Sequence, residues 1–513
     1  QPTFGANTTG GYNVAIGMAS LRNNTTGTNN TAVGYQSGYS NQTGNYNTTI
    51  GYQAGYYNTA DSAVTAVGWT ALQNNSTGTQ NTGVGQQALK ANTTGGQNTA
   101  LGNNAGVSNT TGSSNVAIGQ AALFSNTTAS ANTAVGYQAG YSNTGATNSF
   151  FGYQAGYSNT GTLNTFTGPY AGYGNTSGNF NTFDGAFAGY GTTSGSYNVA
   201  VGQAALQSNT TASSNTAVGY QAGYSNTTGT NNSALGYQAL YSNSTGGYNV
   251  AIGVQASGAA TTSSYAVAIG HYAGRGNTAT GFGNLSIGAY TGYLLTSGSN
   301  NTFVGGTNPE SFGSAGGNTT TGSSNVYIGR SAGAAATTGS QNTFVGYTAG
   351  DAVTTGNKNT ILGAYNGNQG GLDIRTASNY IVLSDGDGNP QISIPSNGAV
   401  QYSITSARGV FNWGNVSSYA QDLSALLPSI GIGSSYGLSI ELQVITQSSN
   451  TAASSYIIHG LRRSDGTWSF TNISALTSGG TTVTASGSSN TLTLTFGAGG
   501  QFGRCVVNAV TQS

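Results

Sequence analysis

Few residues of this sequence are of the types that act in catalysis or bind metal ions. The 513 residues include 10 Lys or Arg, 10 Asp or Glu, two His and one Cys. His271 and His459 are far apart in the sequence, and a metal site needs a cluster of ligands. A Ser-His-Asp triad around His459 stays an open alternative because triad members need not be adjacent, but no serine lies in a nucleophile-elbow motif. The single Cys505 allows neither an intrachain disulfide nor a cysteine-based metal site. We therefore predict no enzymatic activity, no metal and no cofactor.

One acidic spacing could bind a cation. Asp385, Asp387 and Asn389 follow the spacing that begins an EF-hand loop. The twelfth position would be Ser396 where the motif has Glu, and no helices are predicted around it. We interpret the segment as the Asp-Gly-rich turn of a β-hairpin, with calcium binding as the alternative.

A second candidate site combines cationic and aromatic side chains near the C-terminus. Asp465-Gly466 suits a two-residue hairpin turn, and counting outward pairs Arg463 with Trp468. Aromatic faces can stack on sugar rings, and Arg donates to hydroxyls or carboxylates, so Arg462, Arg463 and Trp468 are candidate receptor-binding residues for a glycan. The alternative is that Trp468 is a core residue and Arg463 covers it.

Charge and hydropathy restrict the partners. The formal net charge is zero, and a surface kept soluble by Asn, Thr, Ser, Gln and Tyr is typical of a rigid extracellular fibre. No basic stripe exists to bind phosphates, so we expect no nucleic acid partner. No run of 18 apolar residues occurs, so we expect no membrane insertion. The sequence starts at Gln1 with neither Met nor a signal peptide, and we expect an upstream part that is missing here.

A repeat positions most of these residues. One glycine recurs 21 times, and 16 of the 20 intervals are 17 residues long. A disordered low-complexity linker is under no structural constraint to keep this constant spacing of glycines. A unit of this length suffices for one coil of two short strands and two turns, so residues 1–372 are predicted to form a β-solenoid. The repeat glycines are at positions 17, 34, 51, 68, 85, 102, 119, 136, 152, 168, 185, 202, 219, 236, 253, 270, 288, 305, 329, 346 and 363.

Two columns around the glycine predict the interior of the coil. The residue just before the glycine is apolar in 19 of 21 copies, as at Val33 and Ile118, and we expect this column to form the core. The residue three positions after the glycine is Ala in 16 copies, where a narrow interior permits only a small side chain. Thr167 and Asp184 depart from the first column. We expect a local change of register at Asp184, with Phe183 in the core, because a buried carboxylate is costly.

A third column is predicted to form a polar ladder. Asn stands four residues before the glycine in 19 of 21 copies, and stacked Asn side chains can hydrogen-bond along the axis of the coil. Glycosylation is the alternative, but the commoner Asn-Thr-Ala and Asn-Val-Ala sequences are not acceptor sites. The predicted ladder includes Asn13, Asn30, Asn98, Asn132, Asn198, Asn215, Asn249 and Asn301.

The short strand before the glycine predicts self-association. In Ala32-Val33 and Phe150-Phe151 neighbouring residues are both apolar or small, and neighbours on a strand face opposite sides. One coil interior can bury only one of these sides, so the other needs a second chain.

The motif resembles two known groups of proteins. The sequences Asn-Val-Ala-Ile-Gly at 13–17 and Asn-Thr-Ala-Val-Gly-Tyr-Gln-Ala-Gly at 132–140 are similar to the head repeats of trimeric autotransporter adhesins, and more similar to repeat tracts of marine and cyanobacterial phage tail fibres. The resemblance implies a left-handed parallel β-roll, three chains around one axis, and attachment to a cell surface as the function. The adhesin repeat is usually shorter, and no heptads of a coiled-coil stalk occur, which favours the viral fibre.

The resemblance also implies location and partners. A tail fibre belongs to the virion, assembles as a homotrimer, joins baseplate or tail proteins through its N-terminal part, and binds a host cell-surface polysaccharide or receptor. A secreted cell-surface adhesin or extracellular filament is the alternative, and ice binding by Thr columns is a minor one. Many related fibres end in a self-cleaving chaperone domain that uses Ser and Lys. The last lysine here is Lys358, within the repeats, so we do not expect that activity.

The remaining sequence predicts a connector and a tip. Residues 373–407 are predicted to form short strands and turns, and residues 408–513 a small antiparallel β-sandwich with one short helix at 417–427. In the repeats, the interval between Gly305 and Gly329 is 24 residues, and the excess is expected to protrude as a loop without breaking the stack.

Overall fold

The computed structural model describes residues 3–60, 62–276, 281–307 and 313–398 in full, and the strand backbones between 401 and 511. These residues are all-β and contain no helix, which confirms the predicted β-solenoid with a repeat of about 17 residues. The chain divides into two compact units, residues 1–342 and 343–513, and each is described by itself.

The first unit is a stack of three-residue strands, one from each repeat. Neighbouring strands from β1 to β19 pair in parallel and in register, as in Val14↔Thr31, Ala15↔Ala32 and Ile16↔Val33. The strands are β1 (Val14–Ile16), β2 (Thr31–Val33), β3 (Thr48–Ile50), β4 (Thr65–Val67), β5 (Thr82–Val84), β6 (Thr99–Leu101), β7 (Val116–Ile118), β8 (Thr133–Val135), β9 (Ser149–Phe151), β10 (Thr165–Thr167), β11 (Thr182–Asp184), β12 (Val199–Val201), β13 (Thr216–Val218), β14 (Ser233–Leu235), β15 (Val250–Ile252), β16 (Val267–Ile269), β17 (Leu285–Ile287), β18 (Thr302–Val304) and β19 (Val326–Ile328).

The repeat glycine is required by the close approach of successive coils. We number positions from this glycine, so that position −1 precedes it and position +5 is the fifth residue after it. Gly34 has a φ of 132°, and a Cβ there would lie 2.5 Å from the carbonyl oxygen of Gly51 in the next coil. No side chain fits this approach, which explains why the column is invariant.

The core lies one residue earlier than the sequence predicts. The middle residue of each strand, at position −2, is buried, whereas position −1 faces outward: Ala32 is fully buried, but Ile16 is 60% and Leu101 is 48% exposed. A three-residue strand that points its centre inward must point both flanking residues outward. The predicted core column at position −1 is therefore wrong. The alanines at position +3, such as Ala54 and Ala139, are fully buried as expected.

The same geometry explains the outward position of Asp184 without a change of strand register. Strand β11 pairs with β12 in the ordinary way, with Phe183 opposite Ala200 and Asp184 opposite Val201. Phe183 is buried because it is the middle residue of its strand, and Asp184 is exposed in a column that has no buried member. The predicted register shift is wrong.

The interior volume is shared between positions −2 and +4. Outside the 24-residue interval, position +4 is glycine wherever position −2 is phenylalanine, and a Cβ on Gly172 would lie 2.5 Å from the Phe166 ring. Where position −2 is small, position +4 can be leucine: Leu206 is buried beside Ala200. Phenylalanine at position −2 and leucine at position +4 therefore do not occur in the same coil.

The 24-residue interval leaves the stack intact. Strand β18 pairs directly with β19, with Phe303 opposite Tyr327. Ala315 occupies the buried position that Ala has in other coils, and its amide donates to the carbonyl of Gly305. Residues 308–312, within the predicted loop, lie outside the described residues.

The second unit begins with the same parallel pairing and then changes to antiparallel. Strand β20 pairs with β21, and β21 pairs with β24, the first strand of the predicted connector. Strands β24 and β25 form an antiparallel hairpin, and β22 and β23 form a smaller one. These strands are β20 (Thr343–Val345), β21 (Thr360–Leu362), β22 (Asn368–Gln369), β23 (Leu372–Asp373), β24 (Ile381–Ser384), β25 (Pro390–Ile394) and β26 (Gln401–Tyr402).

The C-terminal strands form two antiparallel sheets. The first has the order β27-β34-β29-β30-β31 and the second the order β28-β33-β32. The predicted helix at 417–427 is wrong, because residues 418–422 form strand β28, paired with β33. The strands are β27 (Gly409–Val416), β28 (Ser418–Asp422), β29 (Leu438–Ser449), β30 (Ala452–Arg462), β31 (Trp468–Thr477), β32 (Val483–Ser488), β33 (Thr491–Phe496) and β34 (Gln501–Thr511).

Candidate functional site

The predicted Asn column at position −4 lies inside the coil and links each coil to the next. The Oδ1 atom of each Asn accepts a hydrogen bond from the main-chain N–H of the residue one coil on, so that Asn30 donates to Asn13 at 2.9 Å. The Nδ2 atom donates to a turn carbonyl, as from Asn30 to Gly44 at 2.9 Å. The same main-chain bond measures 2.9–3.0 Å at Asn98, Asn132, Asn198, Asn215, Asn249 and Asn301. Apart from Asn13, which is half-buried, these side chains are buried, and they hold the coils together.

A second Asn column, at position +7, was missed by the sequence analysis. Asn92 Nδ2 donates to Asn75 Oδ1 at 2.6 Å, and Asn109 Nδ2 donates to Asn92 Oδ1 at 2.8 Å. The Nδ2 atom also donates to a carbonyl two or three residues later, as from Asn92 to Gly95. The constant spacing from the repeat glycine was the available signal.

The outward face of the stacked strands is largely apolar. Position −1 carries Val, Ile, Leu or Phe in every strand from β1 to β19 except at Thr167 and Asp184, and no member of the column is buried. Position −3 beside it carries Thr, Ser, Val or Leu. An exposed apolar column that continues over many coils marks an interaction surface.

Aromatic side chains form a second outward column, at position +5. Phe124, Tyr141, Tyr157, Tyr173 and Tyr190 are stacked on successive coils, with centroids 4.8–5.2 Å apart and planes within 11° of parallel. Burial raises the pKa of the Tyr173 hydroxyl above its ordinary value, with the neighbouring tyrosines adding to the shift. The stacking stabilises the coils.

Three cations stand in the same column. Arg22, Lys90 and Arg275 occupy position +5, and each has an aromatic ring within 6 Å of its charged group. The guanidinium of Arg275 lies 5.1 Å from the Tyr272 ring centroid and 5.7 Å from that of Tyr293.

The acidic spacing at 385–389 forms a hairpin turn between β24 and β25. Asp385 Oδ1 accepts from the main-chain N–H groups of Asp387 and Asn389, at 3.1 and 2.8 Å, and its Oδ2 accepts from Gln391 Nε2 at 3.1 Å. The bond from the Asn389 N–H is the main cause that lowers the pKa of the Asp385 carboxyl. The carboxylate thus organises the turn itself.

The predicted Arg463–Trp468 pair has a different register. Strands β30 and β31 place Arg462 directly opposite Trp468, and five residues separate the two strands where a two-residue turn was predicted. Arg463 and the Asp465-Gly466 turn lie outside the described residues.

The remaining candidates for chemistry are the two histidines and Cys505. His271 lies 4.1 Å from Tyr272, between ring centroids, in the first unit. His459 is opposite Glu441 on β29 and Thr471 on β31, and Cys505 is on β34 opposite Phe411 and Val444. No group of three or more His, Cys, Asp or Glu that could hold a metal occurs among the fully described residues. In that part of the chain no helix could span a membrane.

Comparison of the chain with protein-family models, with curated proteins and with solved structures found no match.

Proposed function

We propose that this chain is the shaft and tip of a homotrimeric attachment fibre, most consistent with a viral tail fibre that binds a host cell-surface glycan through residues 408–513. The observation that carries the proposal is the apolar column at position −1. At about 4.8 Å for each strand, the column from β1 to β19 extends over roughly 85 Å. A column of this length that stayed in water would forgo burial worth up to about 1.5 kcal/mol for each side chain, since these side chains are already partly buried.

The occupant of this column is a second and third copy of the same chain. The surface repeats with the period of the coil, so only a partner with the same period can match it along its length. Apolar strand faces on both sides, at positions −2 and −1, are typical of strands buried on both sides. The left hand of the roll and the number of three chains come from the resemblance to adhesin heads and tail fibres.

Mass measurement by light scattering tests the assembly. The purified chain should have three times the monomer mass of 51.2 kDa. Leu101→Asp should weaken the trimer, because it places charges at the interface. Thr111→Asp, in an exposed turn of the same coil, is the matched control and should leave the mass unchanged. A monomeric wild type would refute the assembly.

Asp184 gives a second test of the same interface. In a monomer this exposed carboxylate is solvated, and Asp184→Val should change stability by no more than about 0.5 kcal/mol. In the trimer three carboxylates would lie within the interface, so the same substitution should raise the melting temperature clearly. No change in a chain of trimer mass would place the interface elsewhere.

The tip is proposed to bind the glycan because a repetitive shaft presents one surface many times, whereas loops on a separate scaffold can vary. The two antiparallel sheets of the second unit are proposed to pack as a β-sandwich. Arg462 and Trp468, opposite each other in the register, and the neighbouring Arg463 are the proposed contacts. Binding of the protein to host cells or envelope polysaccharide should fall with Trp468→Ala and Arg462→Ala. Unchanged binding by both folded variants would eliminate this site.

A secreted adhesin or filament stays the alternative, and a signal peptide upstream of Gln1 in the gene would favour it. Ice binding is the minor alternative. The threonines concerned lie beside the ladder Asn, as Thr31 does, and Val replaces Thr in this column in other coils, as at Val14. Thermal hysteresis of the pure protein would support ice binding.

A further inference from the structure

Arg275 is a cationic group of the first unit that neighbouring coils hold in place. Its Nε donates to Gln255 Oε1 of the preceding coil at 3.1 Å, and its Nη1 donates to the Tyr293 hydroxyl of the following coil at 2.9 Å. The Tyr272 and Tyr293 rings lie within cation–π distance of the guanidinium. Three successive coils therefore fix the orientation of this group, which reduces the entropy that a ligand would have to remove.

Further rings extend the cluster. His271 lies 5.3 Å from Tyr290 between ring centroids, and Tyr272 lies 5.2 Å from the same ring. All of these side chains are partly exposed. A ring face is electronegative and attracts the C–H groups of a ligand that lies against it.

Arg275 has no carboxylate partner among the described residues. The one described acidic residue of the first unit is Asp184, on β11, and Arg275 stands after β16. The described hydrogen bonds use two of the five N–H donors of the guanidinium. A preoriented guanidinium with donors left over matches the two oxygens of a carboxylate.

We propose that this cluster, formed by His271, Tyr272, Arg275, Tyr290 and Tyr293, binds an acidic saccharide. The sugar carboxylate accepts hydrogen bonds from the Arg275 guanidinium, and the C–H face of the sugar ring lies against the neighbouring aromatic rings. The site is on the repeats and is separate from the proposed tip site, so the shaft takes part in attachment.

The other cations of the column are internal controls. Arg22 also donates to a tyrosine hydroxyl, that of Tyr39 at 3.3 Å, and its guanidinium lies 5.8 Å from that ring. It has the same position in its coil, but the described residues give it one ring in place of two. A general attraction of cations for a polyanion would involve Arg22 and Arg275 equally.

Calorimetric titration of the full chain with a polyuronate, and with neutral dextran, tests the proposal. The wild type should bind the polyuronate and not dextran, and Arg275→Gln should lose at least about tenfold in affinity, because hydrogen bonds to charged groups are the strong ones. Arg275→Lys keeps the charge but loses the planar fork and should be weakened to an intermediate extent. Arg22→Gln should bind like the wild type.

Three results would overturn the proposal: equal binding of both polymers, no binding of the polyuronate, or equal loss from Arg22→Gln and Arg275→Gln. Arg275→Lys is the check if Arg275→Gln does not fold, since full binding by the lysine variant would show that the fork is not used. The trimer mass and the effect of Trp468→Ala are independent measurements, so failure here is distinguishable from failure of the proposed fibre.

Discussion

Positions −2 and +4 share the volume inside the coil. We therefore predict that Gly189→Leu destabilises the wild-type chain but stabilises a chain that carries Phe183→Ala. Phe183 is fully buried and stacks on Phe166 with centroids 4.9 Å apart. A Cβ on Gly189 would lie 2.4 Å from the Phe183 ring, so the glycine leaves the space that the ring fills. The next coil uses the opposite arrangement, with Ala200 at position −2 and Leu206 at position +4. Phe183→Ala with Gly189→Leu would therefore copy an arrangement that the chain already uses.

The magnitudes follow from the cavity and its filling. Phe183→Ala should lower the free energy of unfolding by about 3–5 kcal/mol, because the stacked coils cannot close the cavity. Gly189→Leu alone should cost about 1–3 kcal/mol or more through overpacking against the ring. In the Phe183→Ala background the leucine should contribute about 1.5–3 kcal/mol of burial. The left-handed backbone costs about 1–2 kcal/mol, and Leu206 adopts it at a φ of 49°. A net gain of about 1 kcal/mol remains.

Urea unfolding of the four chains, followed by circular dichroism at one protein concentration, measures the cycle. Hydrogen exchange of the amides around β11 gives a local reading, because repeat proteins need not unfold in one step. Gly172→Leu in the Phe183→Ala background is the control, and it should remain destabilising because Phe166 still fills the space beside Gly172. If Gly189→Leu destabilises both backgrounds, the volume argument is refuted.

Three further predictions concern the ladder, the long interval and the hairpin turn. Asn98→Ala should lower the free energy of unfolding by about 2–4 kcal/mol, because the Asn115 N–H and the Gly112 carbonyl lose buried partners; urea unfolding measures it. Deletion of residues 306–312 restores a 17-residue interval and should leave the melting temperature nearly unchanged, since β18 and β19 already pair directly. The lowered pKa of Asp385 means that its stabilisation of the turn is present above the ordinary Asp pKa of 3.8 and is lost as the pH falls through the lowered value. Amide signals of β24 and β25 in an NMR titration should follow this change.

Each of these three predictions would be contradicted by a specific result. An Asn98→Ala chain as stable as one with an exposed control, Thr94→Ala, would show that the ladder contributes little. A large drop in melting temperature after the deletion would show that the long interval is structural. An Asp385→Asn chain with the same acid titration of the hairpin would assign the pH dependence to another group.

The sequence determined the features that depend on repetition. A fixed period, an invariant glycine and a small residue at position +3 are conditions that every coil must meet, so they are visible without a structure. The Asn column at position −4 was visible for the same reason. The zero net charge and the two histidines, which are far apart in the sequence, likewise restricted from the sequence alone the reactions and partners to be expected.

Only the tertiary structure decided which residues face inward. Alternation along a strand separates two faces but does not say which one is enclosed, and both faces here are apolar or small. In retrospect Asp184 and Thr167 marked the outer face, since position −2 contains no charged residue. The exchange of volume between Phe183 and Gly189 involves residues on opposite sides of the coil, so their relation depends on how the coil closes. The register of Arg462 with Trp468 was likewise set by strand pairing, which a turn motif alone does not fix.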